Sequence, residues 1–414
     1  MAKGDGSITQ RGRGSWRVRI SAGFEPTTGK RRYVTATVRG TKADARRERD
    51  RLRAEVEGGL KVDAQNVTLS EFIPIWADAK RTSGKIMEET LKGYLSVLKH
   101  AEELLGGVPL RKIDAPMVEA VCADVRAKGL SGTTSHNVHM LLKSVFSKAC
   151  DYGYATRNPC SKVDSPKANE PDRRSLTPQE ASRLLGRLDE SEEKAYRELA
   201  DKERRMLDRG KAFGRSYVKG VSSVSQTMAV RIGLATGARL SEVLALQWRC
   251  VDLESGQVSI CRALKKDGAL KEPKTAAGTR TASVDRKTVG HLARWKARQA
   301  AELAKFGIRQ TPETPVCCST TGGFINISNF ERWWRSFRDG NGFEGLRFHE
   351  LRHTQATLLL GSGVDVKTVQ ARLGHADASI TLNWYAHAMP GNDRQAADLL
   401  AAIMVHPEKA ARTA

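Results

Sequence analysis

Two stretches near the N-terminus alternate between apolar and polar positions. In SWRVRISAG, Trp16, Val18 and Ile20 alternate with Arg17 and Arg19; in GKRRYVTATV, Tyr33, Thr35 and Thr37 alternate with Arg32, Val34, Ala36 and Val38. A period of two belongs to half-buried strands, and the intervening FEPTTG reads as a hairpin turn. The next stretch, TKADARRERDRLRAEVEGG, reads as a helix with Thr41 as its N-cap and a double glycine as its stop. Residues 1–65 are expected to form a small β-sheet backed by one helix.

From residue 66 onward, apolar residues recur at three- and four-residue spacing, the period of amphipathic helices. TLSEFIPIWADAKR, MEETLKGYLSVLKHAEELLG, DAPMVEAVCADVRAKG and SHNVHMLLKSVFSKACDYG are predicted helices, with Thr68 and Asp114 as N-caps. They define a helical second domain, residues 66–165. RNPCSKVDSPKANEPDRR, with three prolines, breaks the pattern and reads as an inter-domain linker. The third domain, residues 173–395, opens on the capped helix SLTPQEASRLLGRL. A charged segment, residues 189–222, has few residues fit for a core and is expected to be a solvated helix or a mobile insertion. QTMAVRIGLATGARLSEVLALQW then reads as a helix, a turn at Gly237 and a second helix. QVSICRALKKDGALKEPKTAAGTRTASV reads as β, with turn signals at Asp267-Gly268 and Gly278. Helices resume at SNFERWWRSFRD and run to about residue 388, ahead of a loose polar tail over 396–414. The predicted fold is multidomain and mainly α: an N-terminal sheet-plus-helix domain, a helical domain, and a mixed, mainly-α third domain with a small β-sheet.

Composition narrows the partner. The 414 residues carry 69 Lys and Arg against 47 Asp and Glu, a net charge of +22, with a pI near 9.9. An excess of this size serves a polyanion, and nucleic acid leads. An anionic membrane fits less well, because no long basic amphipathic helix with an aromatic face is seen. Aliphatic runs stay far short of the ~20 residues of a membrane span, and MAKGDGSITQRGRG shows no apolar segment of a secretory signal. The seven cysteines are scattered and lack any C-x-x-C, which suits small buried hydrophobes in a reducing cytosol. Residues 1–65 hold 16 Lys and Arg against 8 Asp and Glu. Arginines recurring on one strand face make Arg11, Arg13, Arg17, Arg19, Lys30, Arg31 and Arg32 candidate DNA contacts.

HELRHT, His349 to Thr354, admits two chemistries. As H-E-x-x-H it has the spacing of a zinc hydrolase, two histidines one turn apart with a glutamate as base. His375 is a candidate third ligand, but the extended motif H-E-x-x-H-x-x-G-x-x-H fails at Ala356, and zinc leaves the basic charge unexplained. As H-x-x-R the motif puts His349 and Arg352 on one helix face, where both can address one anion. That helix ends near GSG at 361–363. The next opens at Asp365 and closes at Leu373-Gly374, leaving His375 just beyond its C-terminus. Asp377 is a candidate cap for a short helix carrying Tyr385. Upstream, Arg239 follows the Gly237 turn with Glu242 one helical turn along, and Lys274 lies in the β segment. His353, Trp333, Trp334 and Trp384 read as packing residues.

TGARLSEVLALQW, the lysine of EPKTAAGTRTASV, HELRHTQATLLLGSGVDVKTVQARLGH and NWYAH together resemble the tyrosine recombinase (phage integrase) family. The likeness is close over roughly residues 225–390, and the three-part plan extends it to the whole chain. One departure is residues 189–222, longer than the family pattern leads one to expect. The resemblance implies an arm-type DNA-binding domain, a core-binding domain and a catalytic domain. It implies a site-specific recombinase that cleaves and rejoins duplex DNA and integrates or excises a mobile element. Tyr385 would attack the scissile phosphate and form a 3′-phosphotyrosyl bond. Arg239 and Arg352 would hold the non-bridging oxygens, and Lys274 would protonate the leaving 5′ oxygen. His349 would assist proton transfer at Tyr385, His375 would hydrogen-bond the phosphate, and Glu242 would orient the group.

Elementary chemistry agrees with those roles. Charge gathers on the equatorial oxygens of an attacked phosphodiester, and planar guanidinium forks match them. A phenol of pKa ~10 needs a basic partner and cationic neighbours to react at neutral pH. A covalent intermediate conserves the bond energy, so no cofactor and no metal is expected, in keeping with the lack of a G-x-x-x-x-G-K-[ST] loop. The resemblance further implies a homotetramer on paired core-type and arm-type sites. It also implies accessory directionality or DNA-bending proteins, and a cytoplasmic, nucleoid-associated location. A type IB topoisomerase and a DNA-binding regulator with a decayed site are the competing expectations.

Overall fold

The hairpin expected from alternation is part of a three-stranded antiparallel sheet, ordered β1 (Ser7–Gly12), β2 (Ser15–Phe24) and β3 (Arg31–Arg39). The computed structural model describes residues 6–24, 29–58, 66–169, 174–209, 219–272 and 278–374, with a few positions between 397 and 404. Strand β1 escaped the alternation argument because SITQRG offers a single apolar side chain, Ile8. Its partner is Val18, which in turn faces Ala36. These residues and the Ile20–Val34 pair lie under helix α1 (Lys42–Glu57), where Val18, Ile20, Val34, Ala45 and Leu52 form a small buried core. Thr41 and Asp44 cap α1 reciprocally: the Thr41 hydroxyl accepts from the Asp44 amide, and the Asp44 carboxylate accepts from the Thr41 amide.

Four helices follow: α2 (Leu69–Thr82), α3 (Glu88–Leu105), α4 (Ala115–Ala127) and α5 (Gly132–Asp151). Thr68 and Asp114 are their N-caps where expected, and Ser131 supplies a third. Phe72, Trp76, Leu91, Leu98, Val121, Leu142 and Phe146 fill the core between them. The proline-rich stretch after α5, read as a linker, is instead docked for most of its length. Cys160 is buried in the helical core, and its carbonyl accepts from His139 Nε2 at 3.2 Å. His136 Nδ1 donates to the Pro166 carbonyl at 3.0 Å, and the Asn169 amide donates to Thr133 at 3.1 Å. Proline breaks the helix there without freeing the chain, because the side chains that follow still have a core to enter.

The chain divides into two units, residues 1–171 and 172–414. In the second, α6 runs unbroken from Pro178 to Asp208. The charged segment from residue 189 is therefore no separate insertion as far as Asp208: it prolongs the capped helix. Its buried face carries Glu192, Ala195 and Leu199, and polar residues there are matched by charge rather than by apolar packing. Arg231 Nη2 reaches Asp189 at 2.6 Å and Glu192 at 3.0 Å, and His291 Nδ1 reaches Glu192 at 2.7 Å. Lys305 pairs with Glu203 at 2.8 Å, and Arg294 with Glu193.

Arg231 belongs to α7 (Lys219–Thr236), while His291, Arg294 and Lys305 come from or just follow α9 (Arg286–Ala304). The alternation and turn signals around it hid α9, whose Leu292, Trp295 and Leu303 are nonetheless buried on one face. Helix α7 is packed on several sides, with Val224, Met228, Ala229, Val230 and Ile232 fully buried. Between α7 and α9 the chain forms α8 (Leu240–Val243), a sheet of β4 (Val251–Asp252), β5 (Gln257–Ile260) and β8 (Arg280–Ser283), and a hairpin of β6 (Ala263–Leu264) and β7 (Leu270–Lys271). Helices α10 (Ile327–Asp339), α11 (Phe348–Gly361) and α12 (Val366–Leu373) complete it. Asp365 caps α12, and Gly374 ends it in the left-handed conformation, as expected. The architecture is mainly α with small sheets.

Candidate active site

The site grows from the end of α7. Thr236 turns its hydroxyl back to the Ile232 carbonyl at 2.7 Å and accepts from the Ala238 amide at 3.2 Å, while Gly237 takes φ +65°. This sharp exit places Arg239 at the mouth of α8, with Glu242 one turn along. The Glu242 carboxylate is buried and divided. Oε1 accepts from Arg239 Nη1 at 2.8 Å; Oε2 accepts from the Arg239 amide at 3.0 Å and from Arg280 Nη2 at 2.9 Å. Burial acts to raise its pKa, but the Arg280 and Arg239 guanidiniums outweigh it and hold the carboxyl below its ordinary range. The Arg239 side chain remains 43% exposed, so its guanidinium is braced from behind and open in front.

Arg352 approaches from α11. It is 1% exposed, and its Nη1 donates to the Gly237 carbonyl at 2.8 Å. Its Nη2 is buried and has no hydrogen-bond partner among the described residues. Desolvation first, then the charges of Arg239 and Arg280, lower its pKa to about 9, with Glu242 opposing. Among the described residues, Glu242 thus bonds to two guanidiniums, Arg239 and Arg280, and only its charge reaches the third. A buried, unmatched guanidinium is costly, and such a cluster is completed by an anion.

His349 lies one turn before Arg352 and, with Leu240, Ser241 and Arg347, lines a cleft of about 570 Å³. The packed end of α11 partly desolvates its ring. That effect, followed by the charges of Arg352, Arg239 and Arg347, lowers its pKa below the ordinary 6.5, so it is neutral at pH 7. His353 is buried behind it, ring edge to ring face at 4.8 Å. The glutamate of the H-E-x-x-H spacing is not placed as a base. Glu350 Oε2 accepts from the Arg347 amide at 2.7 Å, and Oε1 from Arg347 Nε at 2.8 Å. Both carboxylate oxygens close the N-terminus of α11, which leaves the zinc-hydrolase reading without its proton acceptor.

Of the six side chains singled out from the sequence, Arg239, His349 and Arg352 are brought together with Glu242. Lys274, His375 and Tyr385 lie outside the described residues, as does Asp377. Sequence reasoning passed over Arg280 and Arg347, and read Glu350 only as the base of the zinc alternative. A signal existed for Arg280: it shares the inward parity of β8 with buried Ala282, an uncommon place for a charge without a purpose.

In the N-terminal sheet, Arg17, Arg19 and Arg31 share the face turned away from α1 with Tyr33, Thr35 and Thr37. Arg19 stacks its guanidinium 3.7 Å from the Tyr33 ring centre. Arg11 stands at a bulge between Gln10 and Gly12, and Arg13 in the turn that follows. Lys30 immediately precedes β3, and Arg32 has the parity of Val34, toward the helix. Arg39, opposite Ser15, joins the exposed row and was not anticipated.

Comparison with known proteins bears on this arrangement directly. Residues 212–391 match the model of the phage integrase family. A tyrosine recombinase XerC-like protein of Caldanaerobacter subterraneus subsp. tengcongensis is 26% identical over 378 residues, covering 87% of this chain and 89% of that protein. The ICEBs1 integrase of Bacillus subtilis is 24% identical over 95% of this chain and 99% of its own length. Among solved structures, the Tn1549 transposon integrase in complex with transposon right end DNA superposes with a TM-score of 0.60 at 22% identity, over 80% of this chain and 99% of that one. A lambda integrase dimer bound to a COC′ core site gives 0.54 at 18%, over 91% and 94%. The structures establish a shared fold. With relatives aligned along nearly the full length and the matched segment enclosing the arginine cluster, residues 212–391 belong to the phage integrase family, and the chain as a whole is similar to tyrosine recombinases.

Proposed function

We propose that the chain is a site-specific DNA recombinase that breaks and rejoins duplex DNA through a 3′-phosphotyrosyl bond to Tyr385, integrating or excising a mobile element. The observation that carries this reading is Arg352 Nη2: buried and without a hydrogen-bond partner among the described residues, on a guanidinium whose pKa burial, and then the neighbouring cations, push down to about 9. A DNA phosphate supplies the missing charge, and Arg239, half exposed beside it, supplies the second fork. Neutral His349 is in the right state to accept the Tyr385 proton. Lys274 is assigned the leaving 5′ oxygen and His375 a phosphate oxygen.

The arginine row of the N-terminal sheet is assigned to arm-type DNA and residues 66–165 to core-type DNA, on a homotetramer. Complexes of similar integrases include a lambda integrase tetramer bound to a Holliday junction. No helix among the described residues is long and apolar enough to cross a membrane, and the proposed place of action is the cytoplasm. Accessory directionality or DNA-bending proteins are left to experiment.

Nicked duplexes from a random-sequence pool provide the test. Incubated with the protein and denatured, DNA that reacted stays covalently attached. Recovery of defined sequences by the wild type and none by Tyr385→Phe is the expected result. DNA binding without adduct would leave a regulator, and relaxation of supercoils without strand exchange would leave a topoisomerase.

A further inference from the structure

Arg280 sits where three segments of the catalytic domain meet, and its guanidinium bonds to each. Nη2 donates to Glu242 Oε2 at 2.9 Å, Nε to the Arg372 carbonyl at 2.9 Å, and Nη1 to the Gly278 carbonyl at 3.2 Å. The side chain is 5% exposed, so water does not compete for these bonds. Glu242 in turn holds both the amide and the guanidinium of Arg239. The Arg372 carbonyl belongs to the last turn of α12, where helix carbonyls lack partners and a cation is favoured.

The contact is reciprocated. Arg372 Nη2 donates to the Ser283 carbonyl at 2.9 Å, on the strand that carries Arg280, and to the Ala235 carbonyl at 2.7 Å, on the last turn of α7. The two arginines therefore clasp β8, α12 and the α7–α8 turn to one another. Each segment has a reactive side chain near it in sequence: Lys274 precedes β8, His375 follows α12, and Arg239 opens α8.

We infer that Arg280 is a positioning residue for DNA cleavage, fixing Arg239 through Glu242 and setting the end of α12 against β8. The inference rests on the recombinase reading and deepens it. Arg280 does not touch DNA; it acts through Glu242. Lysine keeps the charge at this place, but its three donors radiate from one nitrogen and do not reproduce the planar fork whose separate Nε, Nη1 and Nη2 reach the three acceptors.

The experiment measures the rate of covalent adduct formation on a captured nicked duplex, and equilibrium affinity for the same duplex, in wild type, Arg280→Gln, Arg280→Lys, Glu242→Gln and the Arg280→Gln/Glu242→Gln double variant. Expected are a fall in adduct rate of about tenfold or more in each single variant with affinity changed less than about threefold, and a double variant little slower than the singles. If Arg280→Gln melts below the assay temperature, Arg280→Lys carries the comparison. Wild-type rates in both Arg280 variants, or full additivity with Glu242→Gln, overturn the inference alone. Absence of adduct from the wild-type chain overturns the recombinase reading and this inference with it.

Discussion

Arg352 Nη1 and the Gly237 carbonyl, 115 positions apart in the chain, are hydrogen-bonded at 2.8 Å. Gly237 holds that carbonyl in place because nothing larger fits: a Cβ there would stand 2.4 Å from both Gln355 Oε1 and Leu373 Cδ2, on a backbone with φ +65°. Gly237→Ala is expected to lose about 1–3 kcal/mol of stability and to lose adduct formation out of proportion. Gly363 has φ +85° and open space around it, so Gly363→Ala serves as the comparison. It should lose about 1 kcal/mol and still form adduct. Denaturant melts and adduct yield on both variants check this.

Glu242 is the counter-charge for Arg239 and Arg280, and the carboxylate that opposes the lowered pKa of the buried Arg352. Glu242→Gln leaves these cations facing one another. The expected loss is about 3–5 kcal/mol in urea unfolding, with an unchanged m-value showing that the denatured state is unaffected.

Occupation of the arginine cluster by an anion should stabilise the fold. Sulfate is expected to raise the melting temperature at pH 7 beyond chloride at matched ionic strength, with the specific increment gone in Arg352→Met. The sign of the pH effect follows from Arg352, whose pKa is lowered to about 9. Below that value the charged form attracts anions; as pH rises through it, the proton and the anion affinity are lost together. Sulfate titrations followed by thermal melts at pH 7 to 10 report the effect.

His349 points the other way in pH. Its pKa is lowered from 6.5 by desolvation and by the neighbouring guanidiniums. The unfolded imidazole therefore protonates first on acidification, and this residue's share of stability declines below about 6.5. In single-turnover cleavage the acid limb should lie below pH 6.5, and His349→Gln should reduce the rate about 10²-fold or more. Rate against pH from 5 to 8 decides both points.

Arg17 and Arg19 lie on adjacent outward positions of β2, with Thr37 and Thr35 opposite. Replacing both by Ala is expected to lower duplex affinity and to flatten its dependence on log salt by about 1–2 units, one for each phosphate no longer neutralised. Arg32→Ala, at the helix-facing parity, should change the salt slope less. Fluorescence anisotropy between 50 and 200 mM salt separates the two.

Much of this molecule could be read in advance where local chemistry decides the structure. Thr41, Thr68, Asp114 and Asp365 cap the helices they precede, because an orphan amide finds the nearest side-chain oxygen whatever the tertiary context. The spacing of His349 and Arg352 needed only a helix. What stayed hidden depended on partners distant in sequence. Glu192 and Asp189 look solvent-bound until Arg231 and His291 arrive from α7 and α9. Arg280 looks like one charge among many until its strand meets Glu242 and Arg372. Glu350 was visible but ambiguous, since a catalytic base and a helix cap have the same spacing, and only its bonds to Arg347 distinguish them.

The 115-residue span between Gly237 and Arg352 also sets an order of assembly. Synthesis runs from the N-terminus and domains fold as they emerge. The sheet and the four-helix core of residues 1–171 have all their partners within reach while the guanidinium cluster still awaits α11. A chain on the ribosome thus completes its N-terminal unit before its arginine cluster, and one cut short ahead of α11 keeps the first without the second.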